Sequence, residues 1–269
     1  MLSEYARSVG CGRAWVVADV DADDVLLRLR EVHEKPRVAQ VLMGWPLQVV
    51  DMRRVAAEAH EAGVPVVARL APACGSAICS PGTLGADVVV ERLPFAGRGP
   101  GAVVLPDGSI QTDVWDEDAP ATLCAVALRK PESWPELGEW LEARAASDSD
   151  VISALEALEG QNAAARRACD VARVCAEYLR CHPAVEHVRY PGLKDDEGHE
   201  VAAQVLHHGF GPAVDFWLAD GASMHSFALS GLARICTGRT GEAGRMRRLV
   251  CEGGDARNLV MMLEQALRQ

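Results

Sequence analysis

The chain has 269 residues, of which 49% are apolar and 24% charged, and a formal net charge of −11. That length buries a sizeable core in one large domain or two smaller ones, and the composition is that of a globular protein. The acidic balance excludes a general nucleic-acid binder, which needs clustered Lys and Arg against phosphates. No run of about 18 uncharged apolar residues exists, so no membrane span or membrane partner is expected.

Met1 to Gly12 has no apolar stretch of signal-peptide length, which leaves a cytoplasmic location as the expectation. The nine cysteines form no C-x-x-C pair, so neither a zinc ribbon nor a thioredoxin-type site is indicated. Cys169, Cys175 and Cys181 fall along one predicted helix and read as small apolar residues in a reducing compartment.

In chain order, Trp15 to Asp19 reads as a short buried strand. Asp23 to Glu34 reads as a helix with an acidic first turn suited to its dipole. Arg37 to Met43 is a second apolar strand. Asp51 to Glu61 is a helix, capped by Asp51 and closed by Gly63. Val64 to Ala68, Ala86 to Val90 and Gly101 to Leu105 are further strands. Strands separated by such helices imply a parallel sheet with both faces covered. Residues 106 to 150 are less regular, with four prolines and an acidic cluster at Asp113 to Asp118. A helix is expected over Glu136 to Ala146.

Val151 to Cys181 then reads as one long helix, with Ser149 or Asp150 as its cap. A strand at Val185 to Tyr190, a turn at Pro191-Gly192 and a helix near Glu197 to His207 follow. Next come a strand at Ala213 to Leu218 and a helix at Ala222 to Leu232. A strand at Met246 to Cys251 and a helix at Ala256 to Leu267 close the chain.

Several motifs stand in a recognisable order. A helix ends in His182-Pro183-Ala184-Val185, and the strand after it ends in Tyr190-Pro191-Gly192-Leu193. Gly198-His199-Glu200, Gly209-Phe210-Gly211 and Arg248-Leu249 follow. Upstream stand Val49-Val50-Asp51, the helix through Ala59-His60 to Gly63, and the strand Gly85-Ala86-Asp87-Val88-Val89-Val90. This series resembles the cysteine/methionine-metabolism family of pyridoxal-phosphate (PLP) enzymes, the cystathionine γ-synthase and β-lyase group. The resemblance implies an α/β fold: a truncated PLP-transferase-like large domain of aspartate aminotransferase fold type I, with a parallel-rich sheet, over residues 1–146. A long helix and a smaller α/β domain would occupy 147–269.

The resemblance also implies where the coenzyme chemistry should lie. The family's coenzyme-bonding lysine corresponds to Phe95. The acid beside its pyridine nitrogen corresponds to Arg69, in Arg69-Leu70-Ala71, where a cation would disfavour ring protonation. The phosphate-binding Ser and Thr correspond to Arg92 and Pro94. The family's Gly-rich phosphate loop and intersubunit arm would lie upstream of Met1, and its Ser-Leu-Gly-Gly segment is not found after Leu232. None of Lys35, Lys130 and Lys194 follows a buried strand near the site. The expectation is therefore no catalytic residue, no bound cofactor and no metal. One remnant stands out: Arg248-Leu249-Val250 matches the first two residues of an Arg-Leu-Ser element whose arginine holds a substrate carboxylate. Arg248 is thus either a carboxylate ligand or a salt-bridged strand-end arginine.

Other signals read as structural. His207 and His208 are adjacent and point apart on a helix, so they cannot readily share a metal, even with His199 on the same helix. Gly97 to Gly101 reads as a tight turn. Cys74 and Cys79, around Gly75 and Ser76, have no base at a telling spacing. The leading functional expectation is a non-catalytic homologue of transsulfuration enzymes, a binding or partner subunit. It would form a homo-oligomer, or a hetero-oligomer with a full-length paralogue. The alternatives are an active PLP-dependent C–S lyase or γ-synthase on cysteine or homoserine derivatives, and an amino-acid sensor using Arg248.

Overall fold

A computed structural model describes residues 1–18, 20, 22–31, 36–43, 47–70, 75–93, 103–104, 110–111, 123–224, 232–237 and 245–267. The elements begin with α1 (Leu2–Ser8), β1 (Arg13–Ala18), α2 (Ala22–Arg30), β2 (Arg37–Gln40), β3 (Leu42–Met43), β4 (Gln48–Val49) and α3 (Met52–Glu61). They continue with β5 (Val66–Leu70), α4 (Gly75–Ile78), β6 (Val88–Arg92), β7 (Val103–Val104), β8 (Ile110–Gln111), β9 (Leu123–Leu128) and α5 (Pro135–Glu142). The last group is α6 (Asp148–Arg180), β10 (Val185–Arg189), α7 (His199–Val205), β11 (Ala213–Leu218), β12 (Ala233–Thr237), β13 (Met246–Cys251) and α8 (Ala256–Leu267). The chain divides into two compact units, one of residues 1–41, 50–101 and 115–162, the other of 42–49, 102–114 and 163–269.

The first unit is built on a five-stranded sheet in the order β1-β9-β6-β5-β2. β2, β5 and β6 are parallel neighbours, and β9 runs antiparallel to both β6 and β1. Four strands therefore share one direction, as the alternation of strands and helices implied. The exception is β9, a six-residue apolar run buried at every position. Its place between β1 and β6 differs from the irregular reading of residues 106–150. Trp15, Val17, Val67, Val126 and Leu128 pack with Leu26 and Leu29 of α2 and Leu137 and Leu141 of α5. Asp51 caps α3 as expected, accepting the Arg54 N–H at 3.1 Å.

The second unit carries a four-stranded sheet, β10-β11-β13-β12, antiparallel throughout. Its core joins Phe216, Leu218 and Leu249 to Ala172, Cys175 and Leu179 of α6 and to Leu259 and Leu263 of α8. β12 was not expected from sequence. The expected strand over Arg37–Met43 divides: β2 joins the first sheet, while β3 pairs with β4 in a separate ribbon. β7, within the expected Gly101–Leu105 strand, pairs antiparallel with β8. α6 is capped by Ser147, whose Oγ accepts the Asp150 N–H at 3.3 Å, rather than by Ser149 or Asp150. α7 stops at Val205, so His207 and His208 follow the helix rather than ending it. The expected helix over 222–232 lies mostly on residues outside the described ones. Among the described residues no helix is long and apolar enough to cross a membrane.

Candidate functional site

The motifs that carry the family resemblance do structural work. The Tyr190 hydroxyl lies 3.2 Å from the Cys169 carbonyl and 3.1 Å from the Gly211 carbonyl, so its one proton always has an acceptor. A Cβ at Gly192 would sit 2.4 Å from the Tyr190 ring, which is why the turn after it requires glycine. His199 Nδ1 meets the Pro191 carbonyl at 2.8 Å. Asp87 of the Gly-Ala-Asp element accepts from Val66 N (2.9 Å) and Arg129 (2.8 Å) and pairs with His60 (2.7 Å). Burial alone would raise its carboxyl, but the Val66 N–H, His60 and Arg129 more than reverse that and hold it below the usual range.

Of the residues assigned to coenzyme chemistry, Arg69 and Arg92 lie at the C-terminal ends of β5 and β6, where Leu70 and Glu91 are partners in register. Arg69, one residue from the end of β5, is ion-paired with Asp23 at the start of α2. Phe95 lies outside the described residues, as do Pro94, Cys74 and Gly97 to Gly101. Lys130 is exposed, just beyond the end of β9 that meets the start of β6, so it stands at the opposite end of the sheet. Lys194 is exposed in the second unit.

Glu91 is the group that sequence reasoning passed over. It closes a run of three valines, yet its side chain is 2% exposed. Oε1 accepts the Ser76 N–H at 2.7 Å, and the Ser76 hydroxyl in turn accepts from Asn162 at 3.1 Å. The buried Tyr5 hydroxyl stands close enough to the Glu91 carboxyl for each to shift the other, although neither it nor Oε2 reaches a partner in good hydrogen-bond geometry. Burial raises the Glu91 carboxyl above its usual 4.5, against the opposing pull of the Ser76 amide and Tyr5. Burial first, and then the Glu91 charge, raises the Tyr5 phenol well above its ordinary value. A Cβ at Gly75 would lie 1.8 Å from Oε1, so the carboxyl sits hard against the start of α4. Cys79 is buried nearby; burial, above all, pushes its thiol up to about 12, which removes it as a nucleophile near neutral pH.

This geometry makes Glu91 a source of pH-dependent stability. Below pH 4.5 the carboxyl is protonated in both folded and unfolded chains. As pH rises through that value the unfolded chain releases the proton and the folded chain keeps it, so stability falls until the folded carboxyl also ionises. Glu91→Gln removes this loss. Urea unfolding across pH is expected to show the variant gaining on the parent above pH 4.5, and a difference that stays flat contradicts the assignment.

Arg248 lies in the second unit, on β13, opposite Asp215 of β11 in register. Its Nε donates to Asp215 Oδ1 at 2.6 Å and its Nη2 to Oδ2 at 2.7 Å. Asp215 Oδ2 also accepts the Leu47 N–H at 2.6 Å. The two side chains are 2% and 0% exposed. Of the two sequence readings of Arg248, the salt-bridged one describes its present partner, although the arginine is buried mid-sheet rather than at a strand end. The signal for Asp215 was available: a lone carboxylate in the apolar strand Ala-Val-Asp-Phe-Trp-Leu. His207 and His208 stack edge to face with ring centres 5.1 Å apart. Burial first, then His208 and Arg166, lowers the His207 imidazole. Among the described residues no three His, Cys, Asp or Glu side chains are grouped to hold a metal.

Comparison with known proteins adds three findings. A family profile described as Cys/Met metabolism PLP-dependent enzyme matches residues 148–237. Homocysteine/cysteine synthase of Kluyveromyces lactis is 27% identical over 194 residues, 64% of this chain and 43% of that protein. Homocysteine synthase of Schizosaccharomyces pombe is 27% identical over 219 residues, 73% of this chain and 50% of that protein. The chain thus spans half the length, or less, of these curated relatives. The crystal structure of cystathionine gamma-lyase from Lactobacillus plantarum, complexed with L-serine, superposes with a TM-score of 0.71 at 15% identity, covering 99% of this chain and 85% of that one. This likeness establishes the PLP-transferase-type α/β fold.

The family match corrects the expectation of no cofactor: pyridoxal phosphate is the coenzyme of the matched family. At the described end of the sheet the fit is poor in one respect. The position that the resemblance sets beside the ring nitrogen, where an acid is needed, is Arg69, a guanidinium paired with Asp23. Residues 94–102 are outside the described ones, so no step is routed through the coenzyme.

Proposed function

We propose that this chain is a non-catalytic member of the Cys/Met metabolism family of PLP-dependent enzymes, whose profile matches residues 148–237, retained as a binding or partner subunit. The observation that carries this reading is a pair of arginines. Arg69, where the chemistry needs an acid, is ion-paired with Asp23, and Arg248, where a substrate carboxylate would dock, is held by Asp215. An electron sink needs a protonated pyridine nitrogen, and a guanidinium beside it opposes that proton. The partner is a second copy of this chain or a longer relative, since a subunit without turnover acts through what it binds.

A second reading, a working carbon–sulfur lyase or synthase on cysteine or homoserine derivatives, is favoured by the names of the relatives. A sensor reading through Arg248 requires that arginine to be released from Asp215. Incubation with cystathionine and added pyridoxal phosphate separates the first two. The non-catalytic reading expects 2-oxo acid release no faster than with coenzyme alone. Protein-dependent release establishes the second.

A further inference from the structure

The Asp215 carboxylate has the environment of a bound ligand. Two donors come from one edge of a guanidinium, at 2.6 and 2.7 Å, and a third from the Leu47 main-chain N–H at 2.6 Å. A free carboxylate docked on an arginine fork beside a backbone amide receives the same set. Asp215 itself sits between Val214 and Phe216 in the middle of a buried strand. An aspartate there opposes both strand propensity and burial unless a cation and donors offset it. Arg248 is equally unsuited to a buried strand without an anion. Each residue therefore explains the other, and the carboxylate comes from the cross-strand neighbour rather than from solvent.

We propose that Asp215 is a built-in ligand: its carboxylate fills a carboxylate-binding subsite formed by Arg248 and the Leu47 amide, and so closes that subsite to α-amino and other small carboxylic acids. The subsite is complete in its donors and lacks only a vacancy. The proposal shares Arg248 with the non-catalytic reading, but carboxylate rescue reads the subsite alone and 2-oxo acid release reads turnover alone, so the two failures are distinguishable.

The test removes the internal carboxylate and supplies an external one. In Asp215→Ala the melting temperature is expected to drop, and to climb again with added formate or acetate along a saturating curve. Equal concentrations of chloride should leave it unmoved, and the parent protein should respond to neither carboxylate. Adding Arg248→Met to Asp215→Ala should abolish the response. Should Asp215→Ala fail to fold in buffer, refolding yield serves instead: recovery in acetate and not in chloride supports the proposal, and recovery in neither overturns it. A folded Asp215→Ala protein that ignores carboxylates overturns it too. So does calorimetry in which the parent binds amino acids with saturable heat that Arg248→Met removes.

Discussion

Asp215→Leu and Arg248→Met are each expected to destabilise the protein by about 3–5 kcal/mol, because each removes the other's counter-charge in a buried sheet. Asp215 is fully buried and Arg248 nearly so, so water cannot take over the orphaned partner. The double variant Asp215→Leu with Arg248→Met is expected to lose far less than the sum, since well-packed apolar side chains of similar volume replace a buried ion pair at little cost. Urea unfolding of the four proteins gives the coupling directly. Strict additivity would mean that the two side chains do not depend on each other.

The second large effect is expected at Leu128. It ends β9 and is fully buried between Arg13 of β1 and Val88 of β6, its partners in register. Leu128→Ala deletes three heavy atoms from a close-packed region anchored by sheet hydrogen bonds on both sides, which leaves a cavity rather than a collapse. The expected loss is about 2–5 kcal/mol. An exposed position such as Leu27, at 62% exposure, is the control, and its alanine variant should stay within about 0.5 kcal/mol of the parent. Equal effects at the two positions would contradict the placement of β9 between β1 and β6.

That strand also marks where sequence reading stopped. β5 and β6 were legible, each as a valine run flanked by turn signals, and their parallel pairing followed from the helices between strands. Leu123–Leu128 has the same apolar continuity but lies in a proline-rich, acidic stretch with no helix before it. A buried run has no alternation to separate a strand from a helix or a loop. β12 was missed for a related reason: glycines beyond Thr237 drew attention to the turn rather than to the apolar residues before it.

The helices were legible because their periodicity and caps are local. Asp51 as a cap needs only three residues of sequence. Arg248 was legible as an anion ligand from its Arg-Leu context, but not the anion it holds, because Asp215 is 33 positions away and only sheet register joins them. Glu91 and Tyr5 show the same limit over a longer span. Nothing in the first eight residues announces a phenol buried against a carboxyl at the end of the third parallel strand.

The most direct test of the non-catalytic reading is deuterium entry at Cα. Any member of the family that uses its coenzyme as an electron sink loosens the Cα proton of an amino-acid substrate, whichever bond breaks later. The protein, with pyridoxal phosphate supplied, would be incubated in D2O with cystathionine, cysteine and methionine, and Cα exchange followed by NMR. The expected result is exchange equal to that of coenzyme alone for all three amino acids. Exchange that scales with protein concentration would contradict the non-catalytic reading and show that the chain works its amino-acid substrates at Cα.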